Sequence, residues 1–259
     1  MVIDSHCHLD LLAKKKDINQ VLLEAAKAQV AAIVVPGINE QNWLTINKLA
    51  SEHATVYFAL GFHPLFLEEV DDGSIARLEQ RVAELKNNQK FVALGECGLD
   101  FYQGRENELL QKSLLSEQIR IANQYQLPII LHCRKAHQDL IALLKQNPPL
   151  YSGVIHGFSG SYQQAMDYVN LGLKIGVGGV ITYKRAQKTR STIINLPLES
   201  LLLETDAPDM PLYGYQGQPN EPKMVNMVLS SLNMLRSENE QTVTSQLLKN
   251  SKLTFNFCD

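Results

Sequence analysis

Two of the chain's seven histidines form a His-x-His pair, His6-Cys7-His8, just after the short apolar run Val2-Ile3. Composition alone predicts roughly 0.2 such pairs, so the motif is moderately specific. On an extended strand, residues i and i+2 share a face and lie ~6.6 Å apart at Cα. Two imidazoles so placed can converge on one ion, with Zn–N bonds of about 2.0–2.1 Å. Four other apolar runs end the same way. Glu96 follows Phe91-Val92-Ala93-Leu94-Gly95, and His132 follows Pro128-Ile129-Ile130-Leu131. His156 follows Val154-Ile155, and Asp206 follows Leu201-Leu202-Leu203-Glu204-Thr205. Taken singly, His132, His156 and Asp206 are each more commonly explained as structural side chains, and Glu96 equally well as a strand-end glutamate facing water. A carboxylate there is costly to bury without a partner, and a cation would supply one. Taken together, four histidines and two carboxylates suit two divalent ions sharing a bridging group.

The remaining candidates carry less. His63, in Gly61-Phe62-His63-Pro64, lies past the third run and is not needed to complete the ligand set. A supporting or substrate-facing role is expected for it, with a structural turn residue as the alternative. His53 and His137 fall in helix-like stretches and read as surface residues, although His137 is close enough to His132 to stay open. Cys7, Cys97 and Cys133 each adjoin a proposed ligand. Strand alternation turns such neighbours outward, so they read as small buried apolar residues and not as thiolate ligands. The segment Thr182-Tyr183-Lys184-Arg185-Ala186-Gln187-Lys188-Thr189-Arg190 concentrates positive charge, and Arg134 follows His132 closely. Arg134, Lys184 and Arg185 are therefore candidates for gripping phosphate oxygens, against the plainer reading of a solvated helix face.

The elements that must position these residues follow from periodicity. Strands are expected at 2–3, 31–35, 55–60, 91–94, 129–131, 153–155, 173–177 and 201–203, mostly short and dense in Val, Ile and Leu. Helical spacing lies between them. Leu110, Leu114, Ile121 and Tyr125 share one face, and Tyr162, Ala165, Met166 and Val169 another, with Gly172 as a stop. A later helix from about Pro222 to Leu235 turns Met224, Val228 and Leu235 inward, and Ser237 with Glu240 is expected to cap a final helix carrying Val243, Leu247 and Leu248. Eight strand–helix repeats predict an α/β fold of the (β/α)8 TIM-barrel type, with an extra C-terminal helix, over 1–259 as one unit. A doubly wound sheet would call for a glycine-rich phosphate loop after the first strand, where this chain has histidines. The barrel puts catalytic groups at the strands' C-terminal ends, where the candidates stand.

With 45% apolar and 20% charged residues and a net charge of −3, no overall basic character points to nucleic acid. No apolar run approaches the ~20 residues of a membrane span, and no leader-like segment opens the chain. The four cysteines (Cys7, Cys97, Cys133, Cys258) have no knuckle or redox spacing and are expected as reduced thiols in a cytoplasmic protein. No obligate protein partner is evident.

The motifs together resemble the TatD family of metal-dependent hydrolases, within the amidohydrolase-like barrels, and its YjjV-like bacterial subgroup. The resemblance rests on Asp4-Ser5-His6-Cys7-His8-Leu9-Asp10, Gly61-Phe62-His63-Pro64, Gly95-Glu96-Cys97-Gly98-Leu99-Asp100 and Leu131-His132-Cys133-Arg134. It continues through His156-Gly157-Phe158-Ser159-Gly160, Leu203-Glu204-Thr205-Asp206-Ala207-Pro208, and Asn220 with Pro222. Cys97 stands where the family usually has isoleucine or threonine. The resemblance implies a binuclear TIM barrel: His6, His8 and Asp206 on one ion, His132 and His156 on the other, Glu96 bridging. The ions would be Zn, Mn, Mg or Ni. The activity implied is deoxyribonuclease hydrolysis of phosphodiester bonds by a metal-activated water, with Asp206, Glu96 and His63 catalytic and DNA or another phosphodiester as substrate. Two alternatives stay open: hydrolysis of an amide, imide or small ester on the same site, and a non-catalytic metal-binding module.

Overall fold

The computed structural model describes residues 1–257, so Cys258 lies outside the described residues. Eight parallel strands pair in sequence order: β1 (Val2–Asp4), β2 (Val30–Val35), β3 (Val56–Leu60), β4 (Phe91–Asp100), β5 (Ile129–Arg134), β6 (Gly153–Ile155), β7 (Lys174–Val177) and β8 (Leu201–Leu203). The circle closes beyond the first and last strands. Ser5 N donates to Leu203 O, Asp206 N to His6 O, and His8 N to Ala207 O. Helices α1 (Leu9–Ala13), α2 (Ile18–Lys27), α3 (Glu40–Glu52), α4 (Ser74–Leu85), α5 (Glu108–Gln124), α6 (His137–Gln146), α7 (Tyr162–Asn170), α8 (Gln187–Asn195) and α9 (Val225–Leu235) fill the connections, and α10 (Glu240–Phe255) follows. The fold is the (β/α)8 TIM barrel expected from the sequence. Among the described residues no helix is long and apolar enough to cross a membrane.

Alternation along each strand builds two separate apolar layers. Val34, Ala59, Ala93, Ile130, Val154 and Leu202 face inward as one cluster, while their neighbours Ile33, Val35, Phe58, Leu60, Ile129, Leu131, Leu201 and Leu203 join the helices in the larger outer core. Helix α10 brings Phe255 against the inner cluster. It is tied there by Asn250, whose Nδ2 donates to Leu198 O and Leu201 O, both at 2.8 Å. Continued two residues beyond the inner cluster, the same alternation turns His132, His156 and Glu204 into the mouth. Cys7 and Cys97 lie outward in the buried core, as expected, although on β4 this takes a break in the alternation from the inward Ala93.

Some local expectations change. Asn239, not Ser237, caps α10, because its side chain accepts Thr242 N at 2.8 Å while Arg236 and Glu238 engage each other just before it. Leu110 and Tyr162 are exposed, since each lies in the first turn of its helix, beyond the edge of the core. Strand β4 runs six residues past the expected end at Leu94. Its extra length hides a bulge that matters for the site.

Candidate metal centre

The bulge is read from the register of β4 on β5. Leu94 pairs with Ile129 and Cys97 with Leu131, so three steps on one strand span two on the other. The extra residue lets the strand bend and redirect a side chain, and here Glu96 points into the mouth while Cys97 stays outside. The loop after β2 clasps the bulge: Glu96 N donates to Gly37 O at 2.7 Å and Gly37 N to Gly95 O at 3.1 Å. Gly61 lies flat against it, and a Cβ there would come within 2.7 Å of the Gly95 backbone.

Glu96, almost fully buried, is touched by five imidazoles. Its Oε2 lies 3.1 Å from His6 Nε2 and 3.4 Å from His8 Nε2. Its Oε1 lies 2.9 Å from His132 Nδ1, 2.8 Å from His156 Nε2 and 3.0 Å from His63 Nε2. The His6 and His8 Nε2 atoms are themselves 3.3 Å apart, closing a near-equilateral triangle with Oε2. Asp206 Oδ1 stands 3.5 and 3.8 Å from those two nitrogens. Bonds of about 2.0–2.1 Å to one tetrahedral ion set donors about 3.3 Å apart, which is the spacing found. On the other side His132 Nδ1 and His156 Nε2 are 3.0 Å apart and form a second triangle with Oε1. The triangles abut, since the His6 and His156 rings stack with centroids 3.9 Å apart, and His156 can also group with His6 and Asp206. Glu96 Oε2 has no hydrogen-bond partner despite its burial. Nitrogen and carboxylate donors, buried and crowded about one such oxygen, fit a divalent cation.

The charges follow from this crowding. Burial works to raise the Glu96 pKa, but His156, His63, His6 and His132 outweigh it and hold the carboxyl well below its usual range. Burial holds His6 well below the ordinary imidazole value, with the neighbouring His156 adding to the effect. Burial also works to lower His156, but Glu96, Asp206 and Glu204 win and push it up to about 10. His8 and His132 are likewise raised against burial, by carboxylates. Burial raises Asp206. The imidazoles and carboxylates are thus competing for protons in the places that a cation would take.

His63 differs from the other four. Its Nδ1 accepts Leu65 N at 3.1 Å, so the neutral ring carries its proton on Nε2, the atom facing Glu96. Burial lowers its pKa to about 4, which keeps the ring neutral. Although His63 groups with Glu96 and His132 by distance, the tautomer makes it a hydrogen-bond donor.

Several positioning residues were missed by sequence reasoning. Asp100 Oδ2 meets His132 Nε2 at 2.9 Å and so turns Nδ1 toward Glu96. Its strand-end position was masked by the bulge. Helix α5 offers two buried glutamines seven residues apart, on one face. Gln111 bonds both backbone groups of Asp100, and Gln118 both those of Phe62, next to His63. Polar residues on the stripe that carries Leu114 were the available signal. Asp4 accepts Thr205 N at 2.9 Å and Thr205 Oγ1 at 2.6 Å, while Asn220 Nδ2 donates to Thr205 O. These bonds hold Asp206 in its left-handed conformation (φ 57°). Burial pushes Asp4 up to about 7. Glu204 Oε1 accepts Gly157 N beside His156, in room left by Gly176, and burial pushes that carboxyl up to about 8.

The basic candidates separate. Arg134 is exposed, with its guanidinium 3.6 Å from the Tyr102 ring centroid. Lys184 and Arg185 are exposed in the loop before α8. Lys188 and Arg190 sit on α8 itself, which winds them away: Lys188 lines a groove against α6 and α7, and Arg190 donates to Ile181 O. His137 is half-buried, bonded to Tyr168 Oη at 3.0 Å and 3.3 Å from Cys133 Sγ, outside the barrel. Cys133 thus belongs to a polar trio and is not the plain apolar residue expected. His53 is the half-buried C-cap of α3, away from the mouth.

Residues 3–256 match the family described as TatD related DNase. An Escherichia coli (strain K12) protein described as an uncharacterized metal-dependent hydrolase, YjjV, is 46% identical over 254 residues, 98% of this chain and 97% of its own length. A Haemophilus influenzae protein, also described as an uncharacterized metal-dependent hydrolase, is 38% identical over 96% of this chain and 97% of its own. The crystal structure of the E. coli protein, titled a TatD homolog, superimposes with a TM-score of 0.95, covering 99% of this chain and 98% of that one. A TatD-family hydrolase of Entamoeba histolytica, 21% identical, shares the fold with a TM-score of 0.86 over 98% of this chain and 97% of that one.

Proposed function

This chain belongs to the TatD related DNase family and is a metal-dependent hydrolase, and from that premise we propose that it cleaves phosphodiester bonds in DNA on a binuclear centre. The observation that carries the reading is the divided carboxylate: Glu96 gives Oε2 to His6 and His8 and Oε1 to His132 and His156. In this reading His6, His8 and Asp206 would hold one ion and His132 and His156 the other, with Glu96 shared between them. Bound cations supply Lewis acidity, offsetting charge on phosphoryl oxygens and making an attacking water more acidic.

The protein's own groups do the rest. Asp206 orients the water and takes its proton, which then passes through solvent to the leaving oxygen. His63 donates a hydrogen bond from Nε2 toward Glu96 or an oxygen of the scissile ester; as a neutral ring it polarises that oxygen without giving up a full proton. Arg134, Lys184 and Arg185 rim the mouth and attract the anionic strand. An amide or ester substrate would use the same centre but would leave these exposed cations without a partner.

His6→Ala, Glu96→Ala and Asp206→Ala should each abolish metal-dependent cleavage of a defined oligonucleotide while the circular dichroism spectrum stays native. Cleavage that survives in the triple variant, or that needs no divalent metal, would overturn the reading.

A further inference from the structure

The arginines of this chain fall into two groups. Arg77, Arg81, Arg105, Arg120 and Arg236 each meet a carboxylate, and Arg190 a backbone carbonyl. Arg134 and Arg185 hydrogen-bond neither among the described residues, although the Arg134 charge is felt by Asp100; each lies over a tyrosine, Tyr102 at 3.6 Å and Tyr183 at 5.2 Å. Both pairs stand at the C-terminal ends of strands: Arg134 closes β5 and Tyr102 lies just past β4, while Tyr183 and Arg185 lie in the segment after β7. Tyr102 is 56% exposed, so its ring is accessible to a ligand.

The Tyr102–Arg134 pair is built onto the centre. Arg134 is two residues past His132 on β5, and Tyr102 is two past Asp100, in the bend that follows β4. Tyr102 N donates to Asp100 Oδ1 at 2.9 Å, and Phe101 N to Arg134 O at 2.9 Å. The carboxylate that orients His132 therefore also fixes the backbone under the tyrosine. The pair presents a flat face, and among the described residues no hydrogen bond occupies the guanidinium N–H groups. A planar group stacks on such a face and an anionic oxygen bonds such an edge.

We propose that Tyr102 and Arg134 form a stacking platform for one nucleobase of the substrate, next to the phosphate that is cut; this rests on the phosphodiesterase reading above. The platform makes cleavage depend on a base at that position and not on the sugar–phosphate chain alone. Alanine substitution of a base-stacking aromatic typically weakens binding on the order of ten- to a hundred-fold.

The test compares kcat and KM on three substrates in the metal-loaded enzyme: an intact oligonucleotide, the same strand with one abasic residue moved along it, and a fully abasic strand. The wild type should lose ten-fold or more in kcat/KM when the abasic residue adjoins the scissile bond, mainly through KM. In Tyr102→Ala the ratio between intact and abasic strands should collapse toward one, and Tyr102→Phe, which keeps the ring, should restore it. Arg134→Lys, which keeps the charge but loses the plane, should reduce the ratio. Equal wild-type rates on intact and abasic strands, or an unchanged ratio in Tyr102→Ala, would refute the platform while leaving the phosphodiesterase reading intact. Failure of the wild type to cut any strand with any divalent metal would sink that reading and the platform with it.

Discussion

The Asp100–His132 bond gives the sharpest test of how the centre is held. Asp100 is buried and its two oxygens are both engaged, Oδ2 with His132 Nε2 at 2.9 Å and Oδ1 with Tyr102 N at 2.9 Å. Outer partners of metal-ligating histidines typically carry 10- to 100-fold in metal affinity or activity. That range corresponds to about 1.4–2.7 kcal/mol. Asp100→Ala removes both acceptors and frees the imidazole to rotate, so the upper end is expected. Asp100→Asn has one acceptor oxygen for two donors and loses the charge that favours His132 as a ligand, so a loss of about ten-fold is expected. Isothermal titration of the metal-free variants with Zn²⁺ or Mn²⁺ reads the affinity directly, and turnover of an oligonucleotide reads the consequence. The ordering wild type, Asn, Ala is the signature of a positioning role. An alanine variant that binds metal and turns over like the wild type would refute the argument.

Three further outcomes are expected. Gly61→Ala forces a Cβ to within 2.7 Å of the Gly95 backbone, an overpacking that should cost about 1–3 kcal/mol and show as a lower melting temperature with weakened metal binding. Gln118→Ala should leave the buried Phe62 N–H, now bonded at 2.7 Å, without an acceptor; a loss of about 1–3 kcal/mol by urea titration is expected, and an unchanged midpoint would contradict it. Chelation should lower the melting temperature, because an ion at 100 times its Kd contributes about 2.7 kcal/mol to the folded state; a melting curve indifferent to chelator would argue against a native metal at these residues.

Local sequence was enough for the barrel and for the identity of the crowded residues. Alternating apolar runs need only neighbouring residues to declare which face is buried, and His6, His8, Glu96, His132, His156 and Asp206 stand where such runs meet the mouth. Counted from the candidate ligands, alternation also foretold that Cys7 and Cys97 would be turned away. Tertiary structure alone decided the rest, because it depends on register between distant segments. The bulge in β4 exists only against β5, and it is what points Glu96 inward and carries the strand on to Asp100. His63 shows itself as a donor only once Leu65 N is seen on its Nδ1. The basic segment before and within α8 reads as one patch in one dimension, but helical winding sends Lys188 and Arg190 elsewhere and leaves Lys184 and Arg185 exposed. Short-range chemistry names the candidate ligands; the pairing of strands far apart in the chain brings their atoms within 3 to 4 Å of one another.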